Sequence, residues 1–151
     1  MTVYIINGPN INLLGVREPG IYGNDSYDDL ISLVTDAARR KGLTPVCRQS
    51  NHEGDLVDYI HEAYASSAVG IIINPAAYTH TSIALLDAVS AVGIPTVEVH
   101  ISAPSKREPF RKISYIREAC IGVVEGEGIS GYVTALDMLT KHLSKKNEDN
   151  I

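Results

Sequence analysis

Residues 69–75 read V-G-I-I-I-N-P, and the class of the fold turns on them. An unbroken apolar run, mostly β-branched, is the pattern of a strand covered on both faces, as in a parallel sheet. Such a strand needs like neighbours, and crossover helices to return between them. Toward the N-terminus, residues 43–48 predict a short strand. Pro45 inside it lacks an amide proton and so points to an edge position. Residues 3–6, V-Y-I-I, repeat the buried pattern. Asp25 and Ser26, with Asp29 following, predict a cap for a helix carrying Leu30, Ile31, Val34, Ala37 and Ala38 up to Gly42. Ser50-x-x-Glu53 predicts a capping box for a second helix with Leu56, Ile60, Ala63 and Tyr64 on its apolar face. Toward the C-terminus, Thr79 is expected to cap a helix that ends at Gly93. Residues 96–99 and 121–124 predict strands, and residues 132–143 the last helix. A polar, proline-broken segment spans 102–109, with a helix start near Pro109. Five strands alternating with helices imply an α/β fold: a flavodoxin-like three-layer sandwich with a five-stranded parallel sheet, order 2-1-3-4-5. One domain covers residues 1–144, and residues 145–151 form a polar tail expected to fray.

Composition narrows the partners. The 151-residue chain has 13 basic and 18 acidic side chains, a net charge of −5, which argues against nucleic acid. Its apolar runs are far shorter than the ~18 residues that span a bilayer, and no basic-then-apolar leader pattern opens the chain. Cys47 and Cys120 lack C-x-x-C spacing and read as buried reduced thiols, which makes a cytoplasmic location the expectation.

The polar residues gather at one edge. In open α/β sheets a ligand sits beyond the carboxyl ends of the strands, at the switch point, here between strands one and three. Residues 7–23 (N-G-P-N-I-N-L-L-G-V-R-E-P-G-I-Y-G) leave strand one through a turn and carry Asn10, Arg17 and Tyr22. Their glycines and prolines predict an ordered loop ending in a mobile flap, although an ordinary surface loop would also fit. Asn74 and His80 follow strand three. His100, Ser102, Arg107 and Arg111 follow strand four. Glu98 and His100, two residues apart, share a strand face. A carboxylate there would hold an imidazole as a general acid, and a plain structural ion pair is the other reading. Three arginines suggest an anionic substrate, with the amides of Ile101 and Ser102 as further carboxylate donors. Asn74 and His80 suit hydroxyl groups. A guanidinium beside a phenol stabilises the phenolate, so Arg17 would make Tyr22 a usable base. Histidine spacing offers no metal motif.

Residues 126–131 (G-E-G-I-S-G) match a dinucleotide fingerprint, but no second βαβ strand follows them. A tight turn with close helix–sheet packing explains the glycines equally. A phospho-acceptor receiver would need acids where Asn7 and Asn74 stand.

Taken together, these pieces resemble the type II 3-dehydroquinate dehydratases (type II dehydroquinases). The matching segments are the 7–23 stretch, R-Q-S-N-H-E-G-D-L, I-N-P-A-A-Y-T-H-T-S, E-V-H-I-S, R-E-P-F-R and G-x-G-x-x-G-Y, in order along the chain. The resemblance implies a flavodoxin-like lyase with no cofactor and no metal. It implies dehydration of 3-dehydroquinate to 3-dehydroshikimate by anti elimination through an enolate, in the shikimate route or in quinate breakdown. It implies Tyr22 as base, with Arg17 and Arg107 assisting, and Asn10 beside an enolate-stabilising water. His100, oriented by Glu98, would be the acid. Asn74, Ile101 and Ser102 would hold the carboxylate region, and His80 and Arg111 the ring hydroxyls. Asp87 would reach a neighbouring subunit's site in a homododecamer, a tetramer of trimers. Leu86, Ala103 and Pro109 depart from residues common in the family, which bears on assembly and on the loop presenting Arg107 and Arg111. A non-enzymatic small-anion binding protein on the same fold is the alternative.

Overall fold

The apolar runs become strands. These are β1 (Thr2–Asn7), β2 (Thr44–Gln49), β3 (Gly70–Asn74), β4 (Thr96–His100) and β5 (Gly122–Glu125). The computed structural model describes residues 1–16 and 18–151. All neighbouring strands pair in parallel, in the order β2-β1-β3-β4-β5. This is the expected order, and it puts the Pro45 strand at an edge. Among the described residues five α-helices accompany the sheet: α1 (Pro19–Tyr22), α2 (Tyr27–Arg40), α3 (Glu53–Ala65), α4 (Ile83–Val92) and α5 (Gly131–Asp149).

The period of two along β1 divides the core. Val3 and Ile5 face Leu30 and Val34 of α2 and Leu136 of α5. Tyr4 and Ile6 face Leu56 and Ile60 of α3 and Leu85 of α4. Both faces of the sheet are therefore covered, which is why its central strands carry no polar alternation. Each fully buried leucine or isoleucine contributes roughly 1.5–3 kcal/mol to this burial. Cys47 and Cys120 are half-buried and unpaired. Burial pushes both thiols up, Cys120 to about 12.

Local signals held in some places and yielded in others. Ser26 caps α2 in a reciprocal box with Asp29. Ser50, however, does not cap α3, which begins at Glu53 with His52 before it. The Ser50 amide extends the β1–β2 ladder by donating to the Asn7 carbonyl at 3.0 Å, so its backbone is committed to the sheet. Its hydroxyl instead donates to Asp55 at 2.6 Å and accepts the His52 amide. Thr79 likewise does not cap α4. It lies in a 3-10 turn (Ala76–His80), and Ser82 supplies the cap by accepting the Leu85 amide. Near Pro109 there is a single 3-10 turn, Pro109–Arg111, rather than a helix. The last helix runs on to Asp149, past the expected end at residue 143, because residues 144–149 contain neither glycine nor proline to stop it. No helix among the described residues is long and apolar enough to cross a membrane.

Candidate active site

The switch point between β1 and β3 is built by close backbone approach. In register, Asn7 stands opposite Asn74. The next residue, Gly8, donates its amide to the Asn74 carbonyl at 2.8 Å. A Cβ on Gly8 would lie 2.5 Å from the Pro75 carbonyl oxygen, so only glycine lets the two loops meet here. Beyond this contact opens a cleft that is partly open to solvent. Asn10 and Tyr22 line it from the loop after β1, Asn74 and His80 from after β3, and His100, Ile101, Ser102, Arg107 and Arg111 from β4 and after. Glu98 stands behind His100, and Asp87 lies exposed on α4 away from the cleft lining. Arg17 lies outside the described residues.

His100 and Glu98 are both buried and joined at 2.6 Å through Nε2 and Oε1. Burial alone would push the Glu98 carboxyl up. Hydrogen bonds from His100, Arg117 and Ser114 outweigh it and bring the group down from 4.5 to about 2. Glu98 is thus an anion that can only accept, so the His100 Nε2 carries a proton. Nδ1 is left as the nitrogen able to exchange one with a ligand. His80 shows the opposite assignment. Its Nδ1 lies 2.7 Å from the Ile113 carbonyl, so Nδ1 donates, and in the uncharged ring Nε2 is the acceptor, suited to a ligand hydroxyl.

Tyr22 ends α1, a one-turn helix opened by Pro19. Arg107 reaches it from the segment after β4, donating from Nη1 to the phenol oxygen at 2.7 Å, with Cζ 5.4 Å from the ring centroid. Arg107 thus holds the phenol oxygen in this structure. Glu108 lies 3.7 Å from Arg107 and 2.8 Å from Arg111, bracing both arginines. Pro109 opens the turn bearing Arg111 and Ala103 precedes the turn Pro104–Lys106, whereas Leu86 on α4 packs half-buried against the core away from the cleft.

Three supports were not singled out from the sequence. Ser114 donates to Glu98 Oε1 at 2.7 Å, and Arg117 donates to both Glu98 oxygens at 3.1 Å. Tyr132, fully buried on α5, accepts from Asn74 Nδ2 at 3.1 Å and donates to Asn7 Oδ1 at 2.5 Å. None of the three carried a legible sign, because their partners are remote along the chain: Ser114 and Arg117 lie 16 and 19 residues from Glu98, and Tyr132 lies 58 from Asn74.

The family model described as class II dehydroquinase matches residues 1–140. A 3-dehydroquinate dehydratase from Rhodopseudomonas palustris (strain BisA53) is 52% identical over 142 residues, covering 94% of each chain. Among solved structures, a type II dehydroquinase from Butyrivibrio crossotus superposes with a TM-score of 0.91 at 47% identity, over 93% of this chain and 97% of that one. Another, from Propionibacterium acnes, gives 0.88 at 38% identity, over 93% and 96%.

Proposed function

Because the chain belongs to the class II dehydroquinase family, we propose that the cleft between β1, β3 and β4 is the active site in which that family's reaction is run. The reaction is the dehydration of 3-dehydroquinate to 3-dehydroshikimate, a carbon–oxygen lyase step of the shikimate pathway. The observation that carries the assignment is a phenol and an imidazole in one cleft, each backed by an opposite charge: Tyr22 by Arg107, His100 by Glu98.

In the proposed mechanism Tyr22, as phenolate, takes a proton from C2 of the substrate. The electron pair moves to the C3 carbonyl oxygen and gives an enolate, stabilised through a water beside Asn10. The enolate then collapses, the C1–O bond breaks, and His100 delivers a proton from Nδ1 so that the hydroxyl leaves as water. A C1–C2 double bond remains, and the two groups depart from opposite faces. Arg107, and Arg17 in the flap, stabilise the charge on Tyr22. Asn74 and the amides of Ile101 and Ser102 hold the carboxylate. His80 accepts from a ring hydroxyl through Nε2, and Arg111 addresses the ring hydroxyls beside it. Flap closure over the cleft would exclude water while the enolate exists.

We further propose a homododecamer, a tetramer of trimers, in the cytoplasm. The apolar exposure of Ile83, Phe110 and Ile113 supports a covering neighbour, and two unpaired cysteines suit a reducing compartment.

Purified protein should turn over 3-dehydroquinate in the presence of a chelator and without added cofactor, read as the ultraviolet absorbance of the conjugated product. Tyr22→Phe should retain fold and binding and lose about 10³-fold or more in kcat. Folded protein that gives no product would reject the reaction, and near-normal turnover by Tyr22→Phe would reject the base.

A further inference from the structure

The glycine fingerprint at residues 126–131 and the tyrosine that follows it have no part in the mechanism above, yet they touch the Asn74 side chain, the peptide that carries the Ser102 amide, and the peptide after it. The Gly126 amide donates to the Ser102 carbonyl at 2.9 Å. The Gly128 amide donates to the Ile101 carbonyl at 3.1 Å. Tyr132, in the first turn of α5, holds the Asn74 side chain. We infer that this single segment, Gly126 to Tyr132, positions the anion-binding groups of the cleft from behind; the inference rests on the active-site reading above.

The geometry follows from the peptide bond. A trans peptide is planar, with its carbonyl and N–H pointing opposite ways. Among the described residues there are no cis peptides. When Gly128 holds the Ile101 carbonyl on the turn side, the Ser102 N–H of the same peptide is aimed to the far side. Among the described residues no protein acceptor is bonded to that N–H. Gly126 fixes the following peptide through the Ser102 carbonyl, so the backbone on both sides of Ser102 is held. Gly126 and Gly128 reach both carbonyls only by taking φ of +78° and +63°, the left-handed region that favours glycine.

Asn74 is oriented by the same logic. Its Oδ1 accepts the Ala76 amide at 3.1 Å, so the amide cannot be flipped. One Nδ2 hydrogen goes to the Tyr132 hydroxyl, which passes its own proton to Asn7. The second Nδ2 hydrogen is the one left for a ligand. The glycines thus serve an anion at the carboxyl end of β4 without binding it, and Tyr132 completes the grip at β3.

The test uses Tyr132→Phe, which keeps the ring and removes the hydroxyl. Its readouts are kcat and KM for 3-dehydroquinate, and the inhibition constants of quinate and of its methyl ester, which share a ring but differ in the negative charge. A positioning role predicts a KM raised about tenfold with a smaller change in kcat, and a carboxylate-over-ester preference reduced by about tenfold. A folded variant that keeps the wild-type preference would overturn the inference, whatever its melting temperature. Should Tyr132→Phe fail to fold, the glycine turn gives the answer. Gly128→Val, disfavoured at positive φ, should shrink the preference, and Gly128→Asn, which tolerates that region, should recover most of it. Equal preference in both glycine variants would reject the role. Wild-type protein that binds quinate over its ester but yields no product would reject the lyase reading alone and leave the positioning claim open to the same variants.

Discussion

Glu98 is a carboxylate without solvent exposure, and its four hydrogen bonds all come from donors. Two consequences follow at the scale of this residue. The first concerns stability. Because its folded-state value lies near 2 against an ordinary 4.5, the ionised form is favoured by folding. That contribution is complete above pH 4.5 and disappears as pH falls toward 2, so the wild type should lose stability across that window. Glu98→Gln removes the titration, and urea unfolding followed at pH 5 and at pH 3 should show a smaller drop for the variant. The second concerns catalysis. The carboxamide of Glu98→Gln can still accept from His100 Nε2 but cannot stabilise a charged imidazole. Turnover should fall about 10²-fold while KM changes little, since Glu98 lies behind the substrate pocket. A variant with normal kcat would assign the pair to structure alone. Arg117 complicates this site in an informative way. It neutralises part of the charge on Glu98, and it is 40% exposed, so it regains water when the carboxylate is removed.

At the scale of the element, the joint between β1 and β3 carries the site. Gly8→Ala must separate two backbones, because the new Cβ would meet Pro75 carbonyl atoms at 2.5 and 2.7 Å rather than a flexible side chain. The expected cost is about 2 kcal/mol, measured by chemical denaturation. The activity loss should exceed what the lost stability explains, since Asn10 and Asn74 leave the joint from opposite sides. An unchanged kcat/KM in the folded variant would show that the cleft tolerates a wider joint. The strands around this joint were legible in sequence because burial on both faces leaves an unambiguous apolar run, as in residues 71–73. Their ends were legible too, so Asn10, Tyr22, Asn74, His80 and His100 could be placed on one rim from strand order alone. Helix starts were less legible. Ser50 and Thr79 carry sound capping chemistry, but a ladder bond claims Ser50, and the Thr79 carbonyl accepts the Tyr115 amide within a 3-10 turn. The supports of the site were hidden for a related reason. Tyr132 reads as a core aromatic at helical spacing, and only the fold shows its hydroxyl meeting an amide 58 residues away.

For the whole molecule, the outstanding residue is Asp87. It lies one turn beyond Ile83 on α4, so the two share a helix face, and both are exposed. An acid beside a 56% exposed isoleucine is poorly explained in a lone chain, and Phe110 and Ile113 add further apolar surface. A neighbouring copy would bury the isoleucine and receive the carboxylate into its own cleft, as the proposed trimer requires. Light scattering should then report twelve times the 16.3 kDa chain. Asp87→Ala should lower kcat/KM about tenfold, the worth of one well-placed hydrogen bond. The decisive form of the experiment mixes subunits. Asp87→Ala chains keep Tyr22, and Tyr22→Phe chains keep Asp87, so co-refolding equal amounts should create composite sites with both. Random assembly makes about one site in four intact when each site draws on one neighbour. Activity above the sum of the two parents would place Asp87 in its neighbour's reaction. Activity equal to that sum, from a mixture shown to contain hybrid oligomers, would confine Asp87 to its own chain.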